Sequence, residues 1–357
     1  MPMISSPTPF LTRLSVVVLG VLLILASGGE ALAKRGAGPF LLETQHKFPA
    51  KSTGVTAPKG GAPAAMTTSG RVESGDRFRR KLSSRSAIIM DATTGAVLYA
   101  HDPDRPAQPA STLKVLTGLI AIESLRDSDT VTASQRAASM PRSKINIQPG
   151  KAYVADDMIN AVLLASANDA SVAIAEKVAG SEQSFARLMT SKARSLGATN
   201  TVCKTASGLT APGQMSTARD LAVVFDKAMR DREFAERMRK TKVKTRFGQV
   251  LRNHNKALWQ VEGAVGGKTG YTNAARQTYV GKFSRGNDAI VVALMGSETM
   301  WHDISRLVEY GFARKAQLAA IGSGSDPSGK IALNSVARPF QNKSLQVLSE
   351  NKKQRPL

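Results

Sequence analysis

Two pairs of strand-like runs stand at opposite ends of a segment that is otherwise helical, and this arrangement limits the fold more than any other feature of the chain. At the front, Ala87-Ile-Ile-Met90 and Ala96-Val-Leu-Tyr-Ala100 flank the turn Asp91-Ala-Thr-Thr-Gly95, the pattern of a β-hairpin. At the back, Gln277–Phe283 and Ala289–Met295 flank the turn residues 284–288. Between them, helical spacing marks Ser111–Leu125, Val154–Ala165, Ala170–Ala179 and Glu182–Leu196. A further helix is expected from Ser216-Thr217 to about Arg230, with Asp220 completing a capping-box variant. Leu113, Leu116 and Ile120 form one apolar row on the first helix, and Val115, Leu119 and Ile122 form a second. So wide a stripe predicts a helix buried on most sides. An amphipathic helix at about His302–Lys315 closes the segment. Strands first and last with helices between predict one α/β domain over 84–315, its sheet built from both ends.

The flanks read differently. Arg13 precedes the apolar run Leu14–Ala26, shorter than the about 20 residues of a membrane span. Ala31-Leu-Ala33 then places small residues at −3 and −1 of a cleavage point. Together these predict a signal peptide over 1–33, cleaved after Ala33, and an exported chain working in the periplasm or cell envelope. Residues 34–83, rich in Gly, Pro, Ala, Ser, Thr and Lys, are expected to be a disordered basic linker, because they have too little apolar surface to offset ordering entropy. Residues 316–357 read as a basic tail, too short for a second domain with its own core.

The formal net charge is +22. Residues 34–85 hold 11 basic and 3 acidic side chains, and residues 316–357 hold 6 and 2, so the flanks carry more than half of the excess. They predict electrostatic contact with anionic membrane or wall polymers. Aromatic residues make up only 5%, and no basic–aromatic patch or nucleic-acid motif is present, which argues against a nucleic-acid partner. The lone Cys203 excludes an internal disulfide framework and a Cys-cluster zinc site, and reads as a buried small hydrophobe. Four histidines outside any HExxH array argue against a catalytic metal; His254 and His302 read as structural or surface residues.

Three short motifs carry the chemistry. Ser111-Thr-Leu-Lys114 opens the first helix, where residues three apart share a face, so Lys114 can reach the Ser111 hydroxyl. A serine needs a base before it is a good nucleophile, and lysine is a base only when burial and nearby positive charge lower its pKa. Ser166-Ala-Asn168 adds a hydroxyl able to relay a proton and an amide able both to accept and to donate; by itself it reads as a polar loop in which Asn168 or Asp169 caps the next helix. Gly266-Gly-Lys268-Thr-Gly-Tyr-Thr272 offers a charge and a hydroxyl to a carboxylate; by itself it reads as a glycine turn between strands. It is not a phosphate loop, because that pattern requires glycine where Glu262 stands.

The set S-x-x-K, S-x-N and K-T-G in this order marks penicillin-binding proteins and class A β-lactamases. The chain resembles the low-molecular-mass penicillin-binding proteins, serine-type D-alanyl-D-alanine carboxypeptidases, over about 85–315. Ile89-Met-Asp-Ala-Thr-Thr-Gly95, Thr205-Ala-Ser-Gly-Leu209 and Met215-Ser-Thr-Ala-Arg-Asp-Leu221 add to the likeness. The resemblance implies a β-lactamase/DD-peptidase-like α/β fold, with an antiparallel sheet from both ends of the domain and an inserted helical subdomain. It implies that Ser111 is acylated by the penultimate D-Ala of a peptidoglycan stem peptide ending in D-Ala-D-Ala, with Lys114 as base and Ser166 and Asn168 moving protons and orienting substrate. Lys268 and Thr269 would bind the terminal carboxylate, and Gly270 and Tyr271 would line the substrate, with the Ser111 and Tyr271 N–H groups as the oxyanion hole. β-Lactams would be inhibitors, and no cofactor or metal is implied. Relatives often place a carboxylate-binding arginine on the following strand; Arg276 and Arg285 are the candidates here. The rival readings are a DD-endopeptidase cleaving cross-links, a β-lactamase, and a weakly catalytic sensor or wall-binding module. No E-x-x-L-N follows Asn168, which counts against the β-lactamase.

Overall fold

The computed structural model describes residues 72–322. The expected signal peptide, most of the expected linker and most of the expected tail lie outside the described residues. In chain order, α1 (Gly75–Arg79) leads into β1 (Ser86–Asp91) and β2 (Val97–His101). A 3-10 turn at Ala110–Leu113 runs into α2 (Lys114–Ser124). The helical block continues with α3 (Gln135–Ala138), α4 (Ala155–Leu163), α5 (Asn168–Ala179), α6 (Glu182–Ser195), α7 (Ala218–Ala228) and α8 (Arg232–Arg239). Two ribbons lie among these: β3 (Thr130–Thr132) with β4 (Ala152–Val154), and β5 (Lys242–Lys244) with β6 (Val250–Arg252). Then come α9 (Ala257–Gln260), β7 (Ala264–Thr272), β8 (Arg276–Arg285), β9 (Asp288–Ser297) and α10 (Met300–Gly322).

The main sheet is antiparallel, in the order β2-β1-β9-β8-β7. Six consecutive residues of β1 pair with β9, from Ser86 opposite Met295 to Asp91 opposite Ile290, which closes the two ends of the domain on each other as expected. The sheet is covered on both faces, and its residues alternate between two cores. Ile88, Met90, Val280, Val291 and Ala293 face the core shared with α2 and α4 to α8. Ala87, Ile89, Tyr279, Ile290, Val292 and Leu294 face the core shared with α1 and α10. A strand buried on both sides has no polar face, which is why Ala87–Met90 and Ala289–Met295 read as unbroken apolar runs. Each such fully buried Ile or Val contributes about 1.5–3 kcal/mol of transfer free energy.

Three expectations need correction. Residues 72–83, assigned to the linker, contain α1, and Phe78 and Leu82 are buried in the second core. Phe78 stacks on Tyr310 of α10 and meets the edge of Tyr99, so apolar anchors widely spaced in sequence order a segment of unpromising composition. The last helix continues beyond Lys315 to Gly322. The Gly266–Thr272 segment is no turn: it lies inside β7, paired residue by residue with β8 from Gly266 opposite Lys282 to Thr272 opposite Arg276.

Candidate active site

α2 passes through the first core, with Lys114 to Ala121 all buried. Lys114 thus enters the interior as the first residue of a helix whose apolar neighbours fix its position. Ser111 stands one turn earlier, in the 3-10 turn rather than the α-helix proper. That turn is held from below: Thr112 Oγ1 donates to Pro109 O at 2.6 Å, and Thr278 Oγ1 of β8 donates to the same carbonyl at 2.8 Å. Ala110 has φ +52°, a left-handed conformation costing a non-glycine residue about 1–3 kcal/mol, which the surrounding packing maintains. Gly208, φ +77°, lies directly above it; a Cβ there would stand 2.0 Å from Ala110 O.

Lys114 is fully buried. Its Nζ lies 2.9 Å from Ser111 Oγ, 2.7 Å from Asn168 Oδ1 and 2.6 Å from Ser207 O. Burial first, and then the charge of Lys268, push its pKa well below the usual lysine value, against an opposing pull from Asp169. A neutral amine has two N–H bonds and one lone pair. Asn168 and Ser207 take the two N–H groups, which leaves the lone pair to accept the Ser111 O–H. Asn168 is itself fixed. Its Nδ2 donates to Pro141 O and Arg142 O, at 3.0 and 2.9 Å, and its backbone N–H donates to Ser143 O at 2.7 Å. Neither Asn168 nor Asp169 is the helix cap; Ala167 holds that place. The Asp169 carboxylate instead accepts from the Ile145, Ile147 and Ala170 amides, which ties the 141–147 loop to α5.

From the other side, β7 packs against the 3-10 turn as the outer strand of the sheet, so one of its backbone edges is free of sheet pairing. Gly270 allows this approach: a Cβ there would lie 2.5 Å from Thr278 Oγ1 and 2.8 Å from the Ser111 nitrogen. Lys268, 1% exposed, reaches Ser166 Oγ at 2.9 Å and Thr269 O at 3.0 Å. Burial pushes its pKa down to about 7. Ser166 adopts φ +58°, a second strained position beside the nucleophile.

A cleft of about 430 Å³ opens over these groups, bordered by Ser111, Ser166, Asn168, Thr269, Gly270 and Tyr271. The eight residues singled out by sequence therefore converge: six border the cleft, and Lys114 and Lys268 lie buried beside it, bonded to four of the six. Arg276 and Arg285 do not join them. Arg276 pairs with Glu298 and Arg285 with Glu309, and neither borders the cleft. Sequence reading missed Arg142, Ser143, Leu209, His254 and Trp301, which do. His254 keeps an outer edge in solvent, yet the protein around its ring, followed by the charges of Lys268 and Lys114, pushes it down to about 4. Its backbone N–H donates to Leu164 O at 3.1 Å, a contact across 90 residues that no local spacing announces. Cys203 is buried, with its thiol pushed up to about 12 by burial, as its reading as a core residue requires. Among the described residues no cluster of His, Cys, Asp or Glu is arranged to hold a metal ion.

Residues 72–299 match the sequence profile described as D-alanyl-D-alanine carboxypeptidase. The chain belongs to the D-alanyl-D-alanine carboxypeptidase family. It is 37% identical to the carboxypeptidase DacB2 of Mycobacterium tuberculosis over 247 residues, covering 66% of this chain and 84% of that one. It is 32% identical to DacC of Escherichia coli, covering 70% of this chain and 65% of that longer relative. It therefore spans slightly less than two thirds of the Escherichia coli protein. A crystal structure of a D-alanyl-D-alanine carboxypeptidase from Mycobacterium tuberculosis superposes with a TM-score of 0.63 at 34% identity, covering 71% of this chain and 96% of that one. An ampicillin-bound penicillin-binding protein of Listeria monocytogenes superposes with a TM-score of 0.60 at 26% identity, covering 65% and 98%. The carboxypeptidase family thus shares this fold, with the antiparallel sheet and helical insertion expected from the motifs.

Proposed function

We propose that the chain is a serine D-Ala-D-Ala carboxypeptidase that removes the terminal D-alanine from peptidoglycan stem peptides and is acylated by β-lactams at the same residue. The observation that carries this reading is the buried Lys114 amine, 2.9 Å from Ser111 Oγ and held by Asn168 Oδ1 and Ser207 O, with its pKa pushed well down by burial. Ser111 Oγ attacks the penultimate D-Ala carbonyl while its proton passes to Lys114. The N–H groups of Ser111 and Tyr271 stabilise the oxyanion. Ser166, which borders the cleft and accepts from Lys268 at 2.9 Å, returns a proton to the leaving amine; the C–N bond breaks and free D-alanine departs. Water then hydrolyses the ester on Ser111. Lys268 and Thr269 hold the terminal carboxylate throughout. The carboxypeptidase family match favours an enzyme over a penicillin-binding sensor.

The test is D-alanine release from diacetyl-L-Lys-D-Ala-D-Ala across pH. Lys268 binds the carboxylate as a cation, and its pKa in the free protein is about 7. Raising the pH through that value removes the charge and with it the attraction for the carboxylate. The alkaline loss is therefore expected in kcat/KM, which reports the free enzyme, with a smaller change in kcat. Equal alkaline losses in both parameters would remove Lys268 from carboxylate binding.

We further propose that the chain is exported and that its basic flanks hold it to anionic lipid head groups or acidic wall polymers. The net charge of the flanks supports this. A shortened chain spanning 72–322 is expected to release D-alanine at the full-length rate and to sediment less with membranes or sacculi at low salt. Full sedimentation of the shortened chain would show that the flanks are not the anchor.

A further inference from the structure

The start of β8 places one side-chain amide at the catalytic cleft. Gln277 stands opposite Tyr271 in the β7–β8 pair, and Tyr279 stands opposite Thr269. Opposed residues share a face of an antiparallel sheet, so Thr269, Tyr271, Gln277 and Tyr279 all point to the face that packs on α10. Between Gln277 and Tyr279 the pairing with β9 slips: Tyr279 lies opposite Leu294, but Gln277 lies opposite Ser297. A bulge of this kind re-aims the side chain beside it. Here Gln277 meets Met300, the first residue of α10, whose backbone N–H donates to Gln277 Oε1 at 2.8 Å. Gln277, Met300 and Trp301 then border the cleft together with Thr269, Gly270 and Tyr271.

That hydrogen bond decides which way the amide faces. A backbone N–H needs an acceptor, so the side-chain oxygen of Gln277 is committed to Met300 and the NH2 group is the end left over. Among the described residues Gln277 Nε2 has no acceptor, and Thr269 Oγ1 makes no hydrogen bond either. Two side-chain donors on adjacent strands thus lie on one face of the sheet, and among the described residues no acidic side chain borders the cleft to take them. A carboxylate offers two oxygens to two donors, and bonds to it are stronger than bonds to a neutral acceptor. Arg276, the residue next to Gln277, is paired with Glu298 and does not compete for such a ligand.

We infer that Gln277 is a substrate-binding residue whose NH2 group, beside the Thr269 hydroxyl, donates to the terminal carboxylate of the peptide. The inference rests on the proposed carboxypeptidase reading, in which Lys268 and Thr269 hold that carboxylate, and adds a neutral donor from the next strand. The bond to Met300 by itself would make Gln277 an anchor for α10 with no part in recognition. Glutamate separates the two roles. Its carboxylate still accepts from the Met300 N–H, at a helix N-terminus where negative charge is favoured. It has no proton to donate, and it repels a second carboxylate.

The test uses the full chain and two thioesters with the same acyl group, diacetyl-L-Lys-D-Ala, one carried on D-thiolactate and the other on its methyl ester. Both acylate Ser111, and they differ only in the carboxylate. The readout is the ratio of their kcat/KM values, carboxylate over methyl ester, which cancels any effect on acylation common to the two. Gln277→Glu is expected to lower that ratio about a hundredfold. Gln277→Ala, which removes the donor without adding a charge, is expected to lower it about tenfold and gives the same comparison where the glutamate variant does not fold. A ratio that stays within about twofold of the parent overturns the inference, whether both rates hold or both fall together, because Gln277 is then an anchor for α10 only. A parent that turns over both thioesters equally well overturns carboxylate recognition altogether, Gln277 included. A parent that hydrolyses neither thioester and is not labelled by penicillin overturns the carboxypeptidase reading itself.

Discussion

Ser111→Ala is expected to lose covalent labelling by penicillin entirely and to lower D-alanine release by about a millionfold, the scale seen when an acyl-transfer nucleophile is removed. The structure gives the reason. Among the described residues that border the cleft, Ser111 is the hydroxyl that faces an amine with no other proton to accept. Ser166, the other serine at the centre of the site, has its oxygen engaged by Lys268 at 2.9 Å. Mass spectrometry of the penicillin adduct places the label. An adduct that persists in Ser111→Ala at the parent rate would show that the nucleophile lies elsewhere.

Lys114→Arg is expected to lower acylation by about three to four orders of magnitude although the charge is kept. Two effects add. A guanidinium does not lose its proton in a protein, so no base remains. The space around Nζ is also set by three partners at 2.6–2.9 Å, a geometry that a planar five-donor group does not fit. Stopped-flow measurement of the penicillin acylation rate separates this step from deacylation. Acylation within tenfold of the parent would mean that Lys114 is only a structural cation. Thermal unfolding of the same variant is the control: a folded protein with no acylation supports the base assignment.

The helices and strands were readable because their signals are local. Leu113, Leu116 and Ile120 recur at helical spacing whether or not the rest of the chain is present, and Thr217 caps α7, its side chain accepting from the Asp220 N–H. Residues 72–83 were not readable. Their order depends on Tyr99 and Tyr310, which meet Phe78 only after β1 and α10 have packed on the sheet. The glycines of 266–270 suggested a turn because glycine is poor in strands, yet here they let β7 pass close to other groups. Gly270 lies against the Ser111 nitrogen, and a Cβ on Gly267 would stand 2.4 Å from the Tyr279 hydroxyl.

By itself, the sequence determined the longer helices α2, α4 to α7 and α10, the sheet closed from both ends and the three motifs, since each is written in residue type and short spacing. Only the tertiary structure lowered the pKa of the two active-site lysines. Lys114 and Lys268 have the same side chain, and their different roles come from burial, from each other's charge and from partners 54 to 102 residues away. It also decided that Arg276 and Arg285 belong to surface ion pairs and that His254 borders the cleft. Charge pairing and desolvation depend on distances in space, and those are set only when the helical block and the sheet have packed on a common core.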